Sequence, residues 1–213
     1  MLLSLLLLFF PSFLKIRILR ALGAHIGKNS FIGFSLVYSE KLWIGHEVYI
    51  GHFNLVWRLK SCTLESGSRI GMFNWITGAR TGSFSLGRNS AITRFHFFES
   101  SADIDIGHDS IIAGRNSHFF THGISPSNLD DMRPIRIGNW CYIGSGSRFI
   151  PGSGTSDHVF VGMGSVVTKR DPQQYVMIAG APAVQRKELR SSDVYFSRPF
   201  LPHSHHSLEY RGE

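Results

Sequence analysis

Cysteine is nearly absent from this chain: Cys62 and Cys141 are the only two in 213 residues. They offer neither a metal-ligand spacing nor a disulfide framework, so both read as small buried thiols in a reducing compartment. Proline is not enriched, at 8 residues, which argues against a collagen-like or linker sequence. No run of five or more Lys and Arg occurs, which argues against a nucleic-acid arm and leaves nucleic acid outside the expected partners. No apolar stretch reaches the roughly 20 residues of a spanning helix. The longest, up to Leu14, is broken by Ser4, Pro11 and Ser12. Acid is the scarcer charge, with 15 Asp and Glu against 22 Lys and Arg for a net +7. That balance favours anionic company.

What the chain does have is apolar content, 43%, and glycine, 22 residues. The first is enough for a core, and the length suits one domain with or without appendages. In the opening MLLSLLLLFFPSFLKIRILRAL, Lys15, Arg17 and Arg20 follow the apolar run, the reverse of a signal peptide. Residues 1–22 are expected to form an amphipathic helix with one of two roles. It either lies at a membrane interface, its basic cluster on anionic headgroups, or packs on the body of the protein.

Periodicity is the strongest signal. Ile26-Gly27, Ile32-Gly33, Ile44-Gly45 and Ile50-Gly51 fall on multiples of six, and Ile70-Gly71 follows after a two-residue slip. Ile106-Gly107, Ile112-Ala113, Ile137-Gly138, Ile143-Gly144 and Val161-Gly162 continue the beat. Four residues after the aliphatic position come Ser30, Ser68, Ser90, Ser110, Ser147 and Ser165, with Cys141 in the same slot. A period of six excludes an amphipathic helix and simple strand alternation. It describes a backbone turning through equal flat faces, each coil burying its aliphatics on the next.

This pattern resembles the hexapeptide-repeat acyltransferases, over roughly residues 23–183. The resemblance implies an all-β fold, a left-handed parallel β-helix of eighteen-residue coils, about seven by that count. The N-terminal helix precedes it and a short tail, 184–213, follows. It also implies a homotrimer, for which Trp43, Trp57, Trp75 and the many phenylalanines supply apolar surface.

The beat stops in SHFFTHGISPSNLDDMRPIRIG, Ser117 to Gly138. In the O-acetyltransferases of this superfamily, resembling maltose, galactoside and polysaccharide enzymes, a loop with a Thr-His element interrupts the solenoid at such a point. The resemblance therefore implies an active-site loop at 118–136 with His122 as catalytic base. His118, on the six-residue beat, is expected to point inward and to act directly or by orienting His122. Asp130 or Asp131 is a candidate to fix the histidine tautomer. Histidine suits the task, because its pKa near 6.5 lets it accept a hydroxyl proton at neutral pH.

The stretch from Ile143 to Ala183 resembles the family's coenzyme A end. The implied contacts are Tyr142 (where the family often has tryptophan), Gly144, Ser145, Gly162, Gly164, Ser165, Lys169 and Arg170. Arg186 and Lys187 are within reach of the same phosphates. Acetyl-CoA is the implied co-substrate, with no metal, and an N–H near Gly144-Ser145 is the implied oxyanion donor. The implied reaction is acetyl transfer to a hydroxyl of a sugar or cell-surface polysaccharide precursor. The implied location is the cytoplasm, either free or peripheral on the inner membrane's cytoplasmic face. Two alternatives stay open: a gamma-class carbonic anhydrase with zinc on His96, His118 and His122, and a non-enzymatic scaffold.

Overall fold

The computed structural model describes residues 7–125 and 127–198. Expectations for the first six residues and for 199–213 fall outside them. The chain is a left-handed parallel β-helix with three flat faces. The second face stacks eight parallel strands from Phe31–Ile32 to Val176–Ala179. That is one level more than counting in eighteens suggests. The coils are also unequal. Ile26 pairs with Ile44, Ile44 with Leu64, and Leu64 with Leu86, so successive coils take 18, 20 and 22 residues. The extra residues sit at the corners, which leaves each six-residue beat intact locally while the coil period drifts.

One column of aliphatics fills the centre of each face. Ile32, Ile50, Ile70, Ile92, Ile112 and Ile143 are all buried in one such column. Where glycine follows the aliphatic, as it does after Ile32, Ile50, Ile70 and Ile143, it has a steric cause. A Cβ on Gly51 would meet the Gly71 carbonyl oxygen at 2.2 Å, and one on Gly71 would meet that of Thr93 at 1.9 Å. The third face carries Phe98, Phe119 and Phe149 instead, stacked at 4.5 and 4.7 Å and fully buried.

The helix Ser12–Ala21 closes the N-terminal end of the solenoid, with Leu19 buried against the core. Of the two roles expected for it, two of its basic residues serve the packing one. Lys15 is buried and donates to the Gly33 and Ser35 carbonyls, and burial pulls its pKa down to about 8. Arg20 forks onto the carbonyls of Ile26 and Gly27. The structure therefore uses two of the three cations for packing. Among the described residues no helix is long and apolar enough to cross a membrane.

At the other end, Val184–Glu188 turns back antiparallel on Val176–Ala179. The short helix Val194–Ser197 then folds onto the second face. Tyr195 donates to the Cys141 carbonyl at 2.8 Å, and the Arg198 guanidinium lies 3.6 Å over the Tyr195 ring. Both cysteines are buried, and burial pushes the Cys62 thiol up to about 12 and that of Cys141 to about 11. They are inert core thiols at neutral pH.

Candidate active site

The interruption leaves the solenoid from the third face. Here Ile112 to Phe119 spans seven residues, against six for the preceding Ile92 to Phe98, because the corner at Gly114-Arg115-Asn116 holds one residue more. That single insertion moves the inward position from His118 to Phe119. His118 instead points outward, half-buried, edge-on to Phe97 and Phe120 with ring centroids 6.2 and 6.0 Å away. Its rung neighbour below is Arg148. Burial holds its pKa below the ordinary histidine value, and the Arg148 charge adds to the effect. His118 is therefore neutral at pH 7.

His122 opens a hairpin, His122–Ser125 paired with Asn128–Met132. The base of this hairpin is fastened by Glu99, which sequence reasoning missed. One Glu99 oxygen accepts from the Thr121 N–H, the Thr121 hydroxyl and the His122 N–H at 3.2, 3.1 and 3.1 Å. The other accepts from the N–H and hydroxyl of Ser101. The His122 ring is half-exposed, with Nε2 4.0 Å from an Asp130 oxygen. Asp131 is spent on a two-pronged pair with Arg133, at 2.6 and 2.7 Å. Of the two acids, Asp130 is the one placed beside the histidine. At 4.0 Å this is an approach and not a hydrogen bond, and no hydrogen bond to the ring is made among the described residues, so a ring nitrogen stays available to a hydroxyl.

One rung below His118 lies an open glycine corner. Gly146 and Gly164 have φ of +70° and +71°, and a Cβ on Gly164 would meet nothing within 4 Å. At this corner the Gly144 N–H is bonded to the Val161 carbonyl and the Gly146 N–H to that of Arg115. The Ser145 N–H between them has no partner among the described residues, so Ser145 is the free donor of the expected pair. Gly144 and Gly162 are bare for coil stacking: a Cβ would meet Met163 N at 2.7 Å or the Ala179 Cβ at 2.8 Å. Ser165 is buried, its hydroxyl on the Gly162 carbonyl.

The remaining expected contacts are not gathered here. Tyr142 sits on the second face, stacked 5.2 Å from Phe160 and met edge-on by Tyr195 from the folded-back tail. Lys169 and Arg170 occupy the far corner of the last coil, across the third face from Gly164. The Lys169 ammonium is 3.9 Å from Asp171, and Arg170 bonds the Thr155 carbonyl at 3.2 Å. Arg186 bonds the Ala179 carbonyl on the returning strand, where Lys187 follows it.

No family model and no curated protein matches the chain. Solved structures do. A polySia-specific acetyltransferase, NeuO, is 19% identical with a TM-score of 0.51, covering 80% of this chain and 85% of its own. A hexapeptide-repeat-containing acetyltransferase from Vibrio cholerae is 18% identical with a TM-score of 0.51, covering 88% and 87%. AntD, an N-acyltransferase from Bacillus cereus in complex with dTDP and 3-hydroxybutyryl-CoA, is 17% identical with a TM-score of 0.54, covering 88% and 95%. This chain has the hexapeptide-repeat acyltransferase fold. At these identities the likeness concerns the fold, and the site rests on its own geometry.

Within the hexapeptide-repeat fold, the position of His96 removes it from the zinc comparison. It is buried in a corner ladder that runs Ser35, Asn54, Asn74, His96, Ser117. Its Nδ1 accepts from the Ser117 N–H at 3.2 Å, and its Nε2 faces the Thr93 hydroxyl at 2.9 Å. Both nitrogens are occupied, and no group of three His, Cys, Asp or Glu is placed to hold a metal among the described residues.

Burial pushes the His96 pKa down to about 4 from 6.5. Between those values the unfolded chain binds more protons than the folded one, so stability falls as pH drops from about 6.5 to 4. The loss through His96 is about 3 kcal/mol. Urea midpoints measured across that range should show it. His96→Asn, which extends the asparagine ladder with a group that does not titrate, should flatten the profile. An unchanged slope would disprove the assignment.

Proposed function

We propose that this protein is an acetyl-CoA-dependent O-acetyltransferase. Its acceptor is a hydroxyl of a sugar or cell-surface polysaccharide precursor, and His122 is the general base. The observation that carries the reading is a juxtaposition. Two outward histidines meet the base of a hairpin fastened by Glu99, one rung from a bare corner with a free Ser145 N–H. The open Gly146–Gly164 strip fits the pantetheine arm of a CoA thioester, since nothing projects from it.

In this mechanism His122 takes the acceptor's hydroxyl proton as the oxygen attacks the thioester carbonyl. The C–O bond forms, the C–S bond breaks, and the proton reaches the departing thiolate. Asp130 stabilises the imidazolium in between. The Ser145 N–H faces the charge that develops on the carbonyl oxygen. His118, neutral and wedged between aromatic rings, lines the acceptor side.

The apolar surface beside the site suits a homotrimer. Phe53, Phe73 and Phe95 stack at 5.1 and 4.8 Å along an exposed corner, and Trp75 is 54% exposed next to them. Closed symmetry would bury such a strip. The test is release of free CoA thiol from acetyl-CoA that depends on added sugar, followed together with the sugar's mass. Acetylated sugar supports the proposal; acetyl-CoA left intact beside every acceptor contradicts it.

A further inference from the structure

Charge is unevenly spread around the solenoid. The strip that holds the histidines crosses the glycine corner onto the third face. Its successive rungs carry Phe73 and Trp75, then Arg94 and Phe97, then Arg115 and His118, then Gly146 and Arg148. In residues 91–99, 111–120 and 142–150 the only acid is Glu99, and its carboxylate is already spent on Thr121, His122 and Ser101. Arg94, Arg115 and Arg148 are all exposed, and none has an ion-pair or hydrogen-bond partner for its guanidinium among the described residues. Some arginines elsewhere are engaged: Arg133 and Arg136 pair with Asp131 and Asp105, and Arg20, Arg170 and Arg198 bond carbonyls. Arg17, Arg58, Arg80 and Arg88 are also without a guanidinium partner among the described residues, so it is the place of Arg94, Arg115 and Arg148 on one strip beside the histidines that sets them apart.

Arg94 and Arg115 stand on adjacent rungs. The Asn116 N–H bonds the Phe95 carbonyl at 2.9 Å, which sets the two corners in register. Rungs are about 4.8 Å apart, so two guanidinium forks can close on one anionic group. Their direction matters. The bare Gly146–Gly164 corner lies on the C-terminal side of the His118 rung, while Arg94 lies one rung to its N-terminal side. A thioester on the glycine corner leaves the arginine side of the histidines for the acceptor. The aromatic rings of Phe95 and Phe97 flank that side and thin the water that would screen the charges.

We propose that Arg94 and Arg115 form an anion subsite for the acceptor, so that the acceptor is a sugar carrying a carboxylate or a phosphate. The proposal rests on the acyl-transfer reading for its geometry, and its test reads binding separately from turnover. The probes are galactose, galacturonic acid and galactose 1-phosphate, bound to the full chain and followed by ligand-observed NMR and by acetyl transfer.

The acidic sugars should bind at least about tenfold more tightly than galactose, a difference of about 1.4 kcal/mol. Raised salt should erode the preference, and the relative rank of the two acids assigns carboxylate or phosphate. The double variant Arg94→Gln/Arg115→Gln should lower their affinity to that of galactose while thermal midpoint and acetyl-CoA affinity stay unchanged. Arg94→Lys/Arg115→Lys should recover part of the loss, since it restores charge without the fork.

Equal binding of galactose and the acids by the native protein would overturn the subsite. So would a double variant that loses acetyl-CoA affinity and keeps the acidic sugars. Tight binding of the acids without any acetyl transfer would instead overturn the acyl-transfer reading and leave the subsite standing.

Discussion

His122→Ala should lower turnover by roughly 10² to 10⁴, the range for removal of a general base. Affinity for acetyl-CoA and the thermal midpoint should hold, because the ring is half-exposed on a hairpin outside the stacked coils and makes no hydrogen bond among the described residues, Asp130 lying 4.0 Å away. The fastening of the loop survives the change, since Glu99 holds the His122 backbone N–H and not its ring. Asp130→Asn should cost less, as it removes a stabilising charge and leaves the base in place. A His122→Ala enzyme with native turnover would move the proton-transfer role to His118, whose burial and Arg148 neighbour already keep it neutral.

Phe119→Ala should be among the most damaging single changes in the solenoid. Its ring is fully buried between Phe98 and Phe149, so the substitution opens a cavity in the middle of a stacked column. The loss should be about 3–5 kcal/mol, read from urea unfolding midpoints. His118→Ala next door should cost within about 0.5–1 kcal/mol, because that ring packs only along the outer surface. The pair tests the register directly. A severe loss from His118→Ala with a mild one from Phe119→Ala would place the beat where six-residue counting puts it and refute the seven-residue corner.

That register shift shows where the sequence stops being legible. The parallel β-helix was readable because each aliphatic-glycine pair records two local constraints, an inward side chain and a carbonyl from the next coil against the glycine. Coil length was not readable, since corners absorb two to four extra residues without disturbing the beats on either side. The error at His118 came from a single extra residue at another corner. The Thr-His element marked where the chain leaves the solenoid, and the choice between Asp130 and Asp131 as the neighbour of His122 was not legible, because only the fold shows Arg133 taking Asp131.

Glu99 was invisible for a related reason. It acts on residues 22 and 23 positions away, through a rung pairing that an unequal coil hides. The expected coenzyme contacts scattered because residues 142–170 run through more than one coil and past several corners. Tyr142 lies on the second face under the tail helix, while Gly164 lies at a corner of the following coil. At the N-terminus the pattern of apolar then basic residues left two roles open, a lipid-facing helix and a packing helix. Burial of Lys15 and the bonds of Arg20 to the first coil show that the same residues can cap a solenoid.

The most direct measurement follows the acetyl group itself. Acetyl-CoA labelled in the acetyl carbons is mixed with the protein and galacturonic acid, quenched within one turnover, and both protein and sugar are analysed by mass spectrometry. Direct attack by a hydroxyl activated at His122 predicts label on a sugar oxygen, none on the protein at any time, and no labelled sugar from His122→Ala within the same interval. Label held on a protein side chain before it reaches the sugar, or labelled sugar formed at the native rate without His122, would contradict it.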